Sequence, residues 1–148
     1  MDGLRKNLFT SALFSLLAIT ATAGALEIEY ISPEQKNEIS AEFERAKNES
    51  AEKAIGRRWS CDMFGVRSGL QVQRGVKLYS LQAGLEGAVK NTGSQVVSNY
   101  LAVDGRLKGQ NERFEDELRM TRDGRLISRL SLRQGSPSVI AYSLCKPL

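Results

Sequence analysis

Two cysteines, at positions 61 and 145 of a 148-residue chain, bracket a series of short strand-like runs punctuated by glycine. The turn signals are Ser68-Gly69, Ala83-Gly84, Asn91-Thr92-Gly93, Asp104-Gly105, Asp123-Gly124 and Gln134-Gly135-Ser136-Pro137. Most lie about ten residues apart, the spacing of an antiparallel sandwich or barrel. The runs between them cover 58–66, 71–82, 85–90, 95–103, 106–120, 125–133 and 138–145. A Cys61–Cys145 bridge would tie the first of these strands to the last. In an open sheet with short turns those two strands lie far apart, whereas closure makes them neighbours and removes both exposed edges. A disulfide needs its Cα atoms within about 7 Å, which closure supplies. A two-sheet sandwich can also bring the ends together; the even turn spacing favours the barrel. The expected fold is therefore mainly β: an N-terminal α-helix followed by a seven- to eight-stranded antiparallel up-and-down β-barrel closed by one disulfide.

The bridge presupposes an oxidising compartment, and the first 25 residues point to one. Arg5 and Lys6 precede the apolar run Leu8 to Ile19, and Ala23-Gly24-Ala25 offers a small-x-small cleavage site. The run is shorter than the roughly 20 residues of a spanning helix. The reading is a signal peptide over 1–25, an N-terminal segment with an amphipathic helix over 26–56, and a barrel over 57–148. The mature chain would be exported, periplasmic or secreted, with no membrane span.

Charge divides at the same boundary. Residues 26–56 hold eight acids and four bases, and residues 57–148 hold fifteen bases and eight acids. Ser32, Pro33 and Gln35 form a capping box with proline at the first helical position, which predicts a helix from about Pro33 to Ala54, with Gly56 as its end. Its apolar stripe is thin, with Ile39, Phe43 and Ala46, then Ile55 after a gap. Opposite charges favour docking of this segment on the barrel, and Ile39, Phe43 and Ile55 would seat it over the open end near Trp59.

The hairpin at Arg122-Asp123-Gly124 shows which face each strand buries. A three-residue loop with Gly124 in the left-handed region sets Met120 opposite Leu126 and Glu117 opposite Arg129. Phe114, Leu118, Met120, Leu126, Leu130 and Leu132 then share one dry face, and Arg113, Glu115, Glu117, Arg119, Arg125, Arg129 and Arg133 share the charged one. Upstream, Val97, Leu101, Val103 and Leu107 carry the opposite parity. A bulge or break near Lys108-Gly109-Gln110 follows, and the run 106–120 divides into two strands.

Histidine is absent, which excludes histidine-based triads, acid–base catalysis and metal ligation. The two cysteines lack zinc-site spacing, and no phosphate-cradling or dinucleotide fingerprint is present. The chain is expected to be no enzyme and to need no cofactor or metal. Glu115 and Glu117 alternate outward to pair with arginines on the next strand, while Asp116 points inward and needs a partner there. The arginine row is diluted by glutamates and lacks interleaved aromatics, so nucleic acid is not an expected partner. Candidate ligand-binding residues are Trp59, Tyr79 and Tyr100 as aromatic walls and Asp116 as a polar anchor, although aromatics also serve as plain core.

Gly56 and Trp59, in "IGRRWSCDMF" after a polar segment, resemble the opening signature of lipocalins and other calycins. That resemblance implies an up-and-down barrel, Trp59 on its first strand, and a basic residue near the last strand, Lys146, covering the indole. The spacing is G-x-x-W where the family has G-x-W. In size, compartment and architecture the chain is also similar to small periplasmic inhibitors of lysozymes or proteases. The expected function is a non-enzymatic binding protein of the cell envelope, with a calycin-like cup for a small partly apolar ligand. The alternative is a protein-binding inhibitor or envelope partner acting through its outer face or loops.

Overall fold

The computed structural model describes residues 28–66, 70–93, 96–134 and 138–148. The proposed signal segment and the turns at 68–69 and 135–137 lie outside the described residues. The element order is β1 (Ile28–Tyr30), α1 (Pro33–Arg45), a 3-10 turn (Ala51–Ala54), β2 (Arg58–Gly65), β3 (Gln71–Ala83), β4 (Ala88–Asn91), β5 (Asn99–Val103), β6 (Arg106–Gln110), β7 (Phe114–Met120), β8 (Leu126–Leu132) and β9 (Ser138–Pro147).

Strands β2 to β9 follow one another around a closed antiparallel ring, because β9 pairs with both β8 and β2. Eight strands thus form an up-and-down barrel, with β1 as an added strand on the first residues of β3. Cys61 and Cys145 face each other in register across the closing β2–β9 pair, with Cα atoms 4.0 Å apart, and are bonded. The disulfide therefore sits on the seam that closes the ring. Strand β3 is long enough to serve two neighbours. Its first residues hold β1 and its last hold β4, and a register shift against β2 around Gly75 (φ +64) bends it between them.

The β7–β8 hairpin has the register expected from its side-chain pattern: Met120 faces Leu126, Glu117 faces Arg129, and Gly124 has φ +86. The upstream face is only half as expected: Val97 and Leu107 are buried, but on β5 the inward positions are Tyr100 and Ala102, and Leu101 and Val103 are exposed, because the two-residue Asp104-Gly105 turn sets Ala102 opposite Leu107. Between β6 and β7 the change of parity is a break rather than a bulge. Strand β6 ends at Gln110, and a turn folded by Asn111, whose side chain accepts from the backbone of Arg113 and Phe114, starts β7.

Two apolar clusters result. Inside the barrel, Trp59, Tyr79, Leu81, Leu107, Leu118 and Leu126 pack around the disulfide, all essentially inaccessible. Outside it, Ile39 and Phe43 of α1 pack on Ile127 and Tyr142 of β8 and β9.

The helix differs from expectation in length and place. It keeps the expected capping box, with Gln35 N–H donating to Ser32 Oγ at 3.1 Å, but it ends at Arg45 instead of Ala54. The chain then turns so that Ala51 and Ala54 enter the barrel mouth beside Trp59, whose indole N–H donates to the Ala54 carbonyl at 3.1 Å. The Ala51 N–H donates to the Gly105 carbonyl at 2.8 Å, fastening this short turn to the β5–β6 loop. The barrel mouth is capped, then, by the 3-10 turn. The helix lies against the outer wall, and Ile55 packs on the inner core instead of serving the helix.

The charge difference between the segments acts where the helix docks. Glu44 pairs with Arg129 at 3.2 Å and with Arg119 at 3.8 Å, and Glu42 pairs with Arg125. Arg119 and Arg129 also stack on the Phe43 ring, their guanidinium carbons 4.1 and 4.6 Å from its centroid.

Candidate functional site

Strand alternation decides which side chains enter the bore. On β3 the inward residues are Lys77, Tyr79 and Leu81, all buried. Tyr79 stands opposite Trp59, and Lys77 opposite Cys61. On the facing wall, one row of cross-strand partners carries Tyr100, Gly109, Asp116 and Leu130 across β5 to β8. Gly109 makes that row possible. A Cβ there would lie 2.7 Å from the Tyr100 ring and 2.5 Å from the Asn99 carbonyl oxygen. Without one, the Tyr100 ring lies over β6 and its hydroxyl reaches the next strand.

The hydroxyl of Tyr100 donates to Asp116 Oδ2 at 2.6 Å, and Tyr79, from across the bore, donates to the same oxygen at 2.7 Å. The two rings meet edge to face with centroids 6.5 Å apart. Lys77 places Nζ 3.8 Å from that oxygen and 4.8 Å from the centre of the Tyr79 ring. Burial, with the Asp116 charge behind it, pushes the Tyr79 hydroxyl well up; burial, then Tyr79 and Asp116, pushes Tyr100 up. Both tyrosines therefore remain neutral donors over ordinary pH, the form an anionic acceptor requires.

Three buried polar atoms here have no hydrogen-bond partner among the described residues: Lys77 Nζ, Asp116 Oδ1 and Ser128 Oγ. Each belongs to a side chain projecting into the barrel from β3, β7 or β8. Buried polar groups are nearly always paired, so three together are a chemical feature of this interior.

The four candidate residues from the sequence all line the inner wall. Tyr79, Tyr100 and Asp116 meet in one hydrogen-bonded cluster. Trp59 neighbours Tyr79, but its N–H is turned away to Ala54. The charged partner that Asp116 needs inside the barrel is Lys77. Lys77 and Ser128 carried no sequence prediction, and Gly109 was expected only as part of a bulge or break. Lys77 alternates with Tyr79 and Leu81 at period two, and that spacing was the signal available for it. The cation over the Trp59 indole is also not the expected one. Arg57 lies 5.2 Å from the ring centre. Lys146 follows the inward-facing Cys145 and so points out, exposed.

A second feature lies on the outside of the barrel. A depression of about 670 Å³ crosses the outer wall from β4 to β8, with Ala88, Leu101 and Val103 on one side and Lys108, Glu115 and Arg129 on the other. Leu101 is 56% exposed, and Leu85, at the tip of the hairpin whose Ala88 faces Leu101, is 85% exposed. Of the expected outward pairings with arginines of the next strand, Glu117 makes one, 3.7 Å from Arg129, and it is also bonded to Arg119 of its own strand at 2.7 Å; Glu115 faces Ser131 instead and has no ion pair among the described residues.

No protein-family model, curated protein or solved structure matches the chain. The resemblance to calycins therefore rests on architecture: an eight-stranded closed antiparallel barrel is compatible with that fold.

Proposed function

We propose that this protein is a non-enzymatic, exported binding protein of the cell envelope that holds a protein partner against the outer wall of its barrel. The observation that carries the reading is the contrast between the two faces of the barrel wall. The half of the bore nearest Trp59 is filled by side chains and closed by the Ala51–Ala54 turn. The outer depression instead offers exposed Leu101 and Val103 beside a row of charged groups. Exposed apolar clusters rimmed by polar residues are typical of interaction sites, and export is supported by the signal-like N-terminus and the disulfide.

A photo-crosslinking amino acid replacing Leu101 tests this in intact cells, with one at Ser60 on the opposite wall as control. The expected result is a discrete protein adduct from position 101 alone, abolished by Val103→Glu. Equal labelling from both positions, or none from 101, refutes it.

A second reading, a cup for a small partly apolar ligand, is favoured by one observation: the unpartnered Lys77, Asp116 and Ser128 atoms inside the barrel. A ligand with both a donor and an acceptor would satisfy them. Native mass spectrometry of the purified protein should then show an adduct that Asp116→Ala removes.

A further inference from the structure

The most deeply buried ion pair among the described residues is Lys77–Asp116, with side chains 7% and 1% exposed. It is poorly made. Lys77 Nζ is 3.8 Å from Asp116 Oδ2 and forms no hydrogen bond, and Asp116 Oδ1 forms none either. Removing two charges from water costs more than an ill-aligned pair returns. The two oxygens of the carboxyl are also unequal. Oδ2 accepts from two tyrosine hydroxyls at 2.6 and 2.7 Å, while Oδ1 makes no hydrogen bond among the described residues. That is the hydrogen-bonding pattern of an amide carbonyl oxygen on one side and a departing oxygen on the other.

We propose that Lys77 and Asp116 condense to an intramolecular amide, a covalent cross-link from β3 to β7 across the bore. The Lys77 ammonium first gives one proton to the Asp116 carboxylate, carried on Oδ1, leaving a neutral amine and a neutral carboxylic acid. The amine lone pair attacks Asp116 Cγ and forms the C–N bond. Charge developing on Oδ2 is held by the Tyr79 and Tyr100 hydroxyls, which occupy the positions of oxyanion donors. A second proton passes from nitrogen to Oδ1, the Cγ–Oδ1 bond breaks, and one water leaves. Ammonium plus carboxylate becomes amide plus water, with no oxidant or further reactant.

Two features offset the intrinsic reluctance of this condensation. Holding the amine beside the carboxyl inside the barrel gives this step part of the advantage of an intramolecular reaction. The product also removes both buried charges and satisfies the carbonyl oxygen through the two tyrosines. The cross-link does not depend on the proposed partner or ligand.

The test is the intact mass of the exported protein, reduced so that the disulfide contributes nothing, against the mass for its sequenced N-terminus. The expected result is a species lighter by one water. Digestion should yield a branched peptide joining the segment around Lys77 to that around Asp116. Lys77→Arg, which keeps the charge but is too weak a nucleophile, should have its full sequence mass. Tyr79→Phe with Tyr100→Phe should slow the loss of water after synthesis. A wild-type mass equal to the sequence overturns the proposal. So does a water lost from the Lys77→Arg variant, or a noncovalent adduct on an otherwise unmodified chain, which supports the cup reading instead.

Discussion

Removing the apolar side of α1 should free the helix and leave the barrel standing. Phe43 is fully buried and Ile39 nearly so, and both lie outside the ring of strands, on Ile127 and Tyr142. Truncating a buried Phe or Ile to Ala costs about 2 to 5 kcal/mol each. Phe43→Ala also removes the ring on which Arg119 and Arg129 stack, worth about 0.5 to 2 kcal/mol apiece. The ion pairs of Glu42 and Glu44 are partly exposed and add little. A 13-residue helix is marginal alone in water, so the double variant Ile39→Ala, Phe43→Ala cannot keep it docked. The barrel keeps its closed hydrogen bonding, its inner core and its disulfide. Limited trypsin digestion followed by mass measurement is the assay. The variant should be cut after Arg45 or Lys47 and trimmed to a stable core that retains Ala51 and Ala54, which belong to the barrel mouth. The wild type should resist under the same conditions. Equal trimming of both proteins would mean that the helix was never held. A core starting at Gly56 would mean that the Ala51–Ala54 turn belongs to the helix, and loss of all resistant material would mean that helix and barrel fold as one unit.

Gly109→Ala should lower stability by about 1 to 3 kcal/mol through overpacking, because its Cβ meets the Asn99 carbonyl and the Tyr100 ring; an unchanged denaturation midpoint contradicts this. Tyr79 and Tyr100 have pKa values raised above the ordinary 10.0, so the folded state favours their neutral forms. Their contribution is complete below pH 10 and is lost as pH rises above it, by about 1.4 kcal/mol per tyrosine per pH unit. Alkaline unfolding curves should flatten on Tyr79→Phe and on Tyr100→Phe, and a slope indifferent to both excludes the coupling.

The barrel was legible because its information is local and repeated. Each hairpin announces itself by a glycine turn, and the parity on either side fixes the register, as Met120 opposite Leu126 shows. The disulfide partnership followed from having only two cysteines and a ring to close. Asp116 could be placed inside because it sits between Phe114 and Leu118 in alternation. Other elements carried no such signal. Strand β1 is three residues long and is defined by its pairing with β3, a contact 41 to 45 residues away that no local pattern encodes. The helix end was misread because Ala46 to Ala54 is compatible with helix throughout. The break is imposed by the barrel mouth, which needs small residues beside Trp59. Lys77 was passed over because a lone lysine among apolar neighbours reads as surface, and the partner that tolerates it inside lies 39 positions on.

The fate of the arginines bears on function. Read in sequence, Arg113, Arg119, Arg125, Arg129 and Arg133 form a basic row diluted by glutamates, the pattern of an ion-paired face. In the structure Arg119, Arg125 and Arg129 hold the acidic helix, Arg113 lies over the Phe114 ring, and Arg133 donates to the Asn111 carbonyl. These arginines are thus engaged within the molecule, and three of them fix the acidic helix to β7 and β8. Covering that side directs recognition elsewhere. Next to it, the wall from β4 to β6 carries exposed Leu101 and Val103, and among the described residues no element packs over them and Lys108 there lacks an acidic partner. A surface both uncovered and partly apolar costs solubility unless it is used, and that cost makes this wall, more than the net charge, the informative surface of the protein.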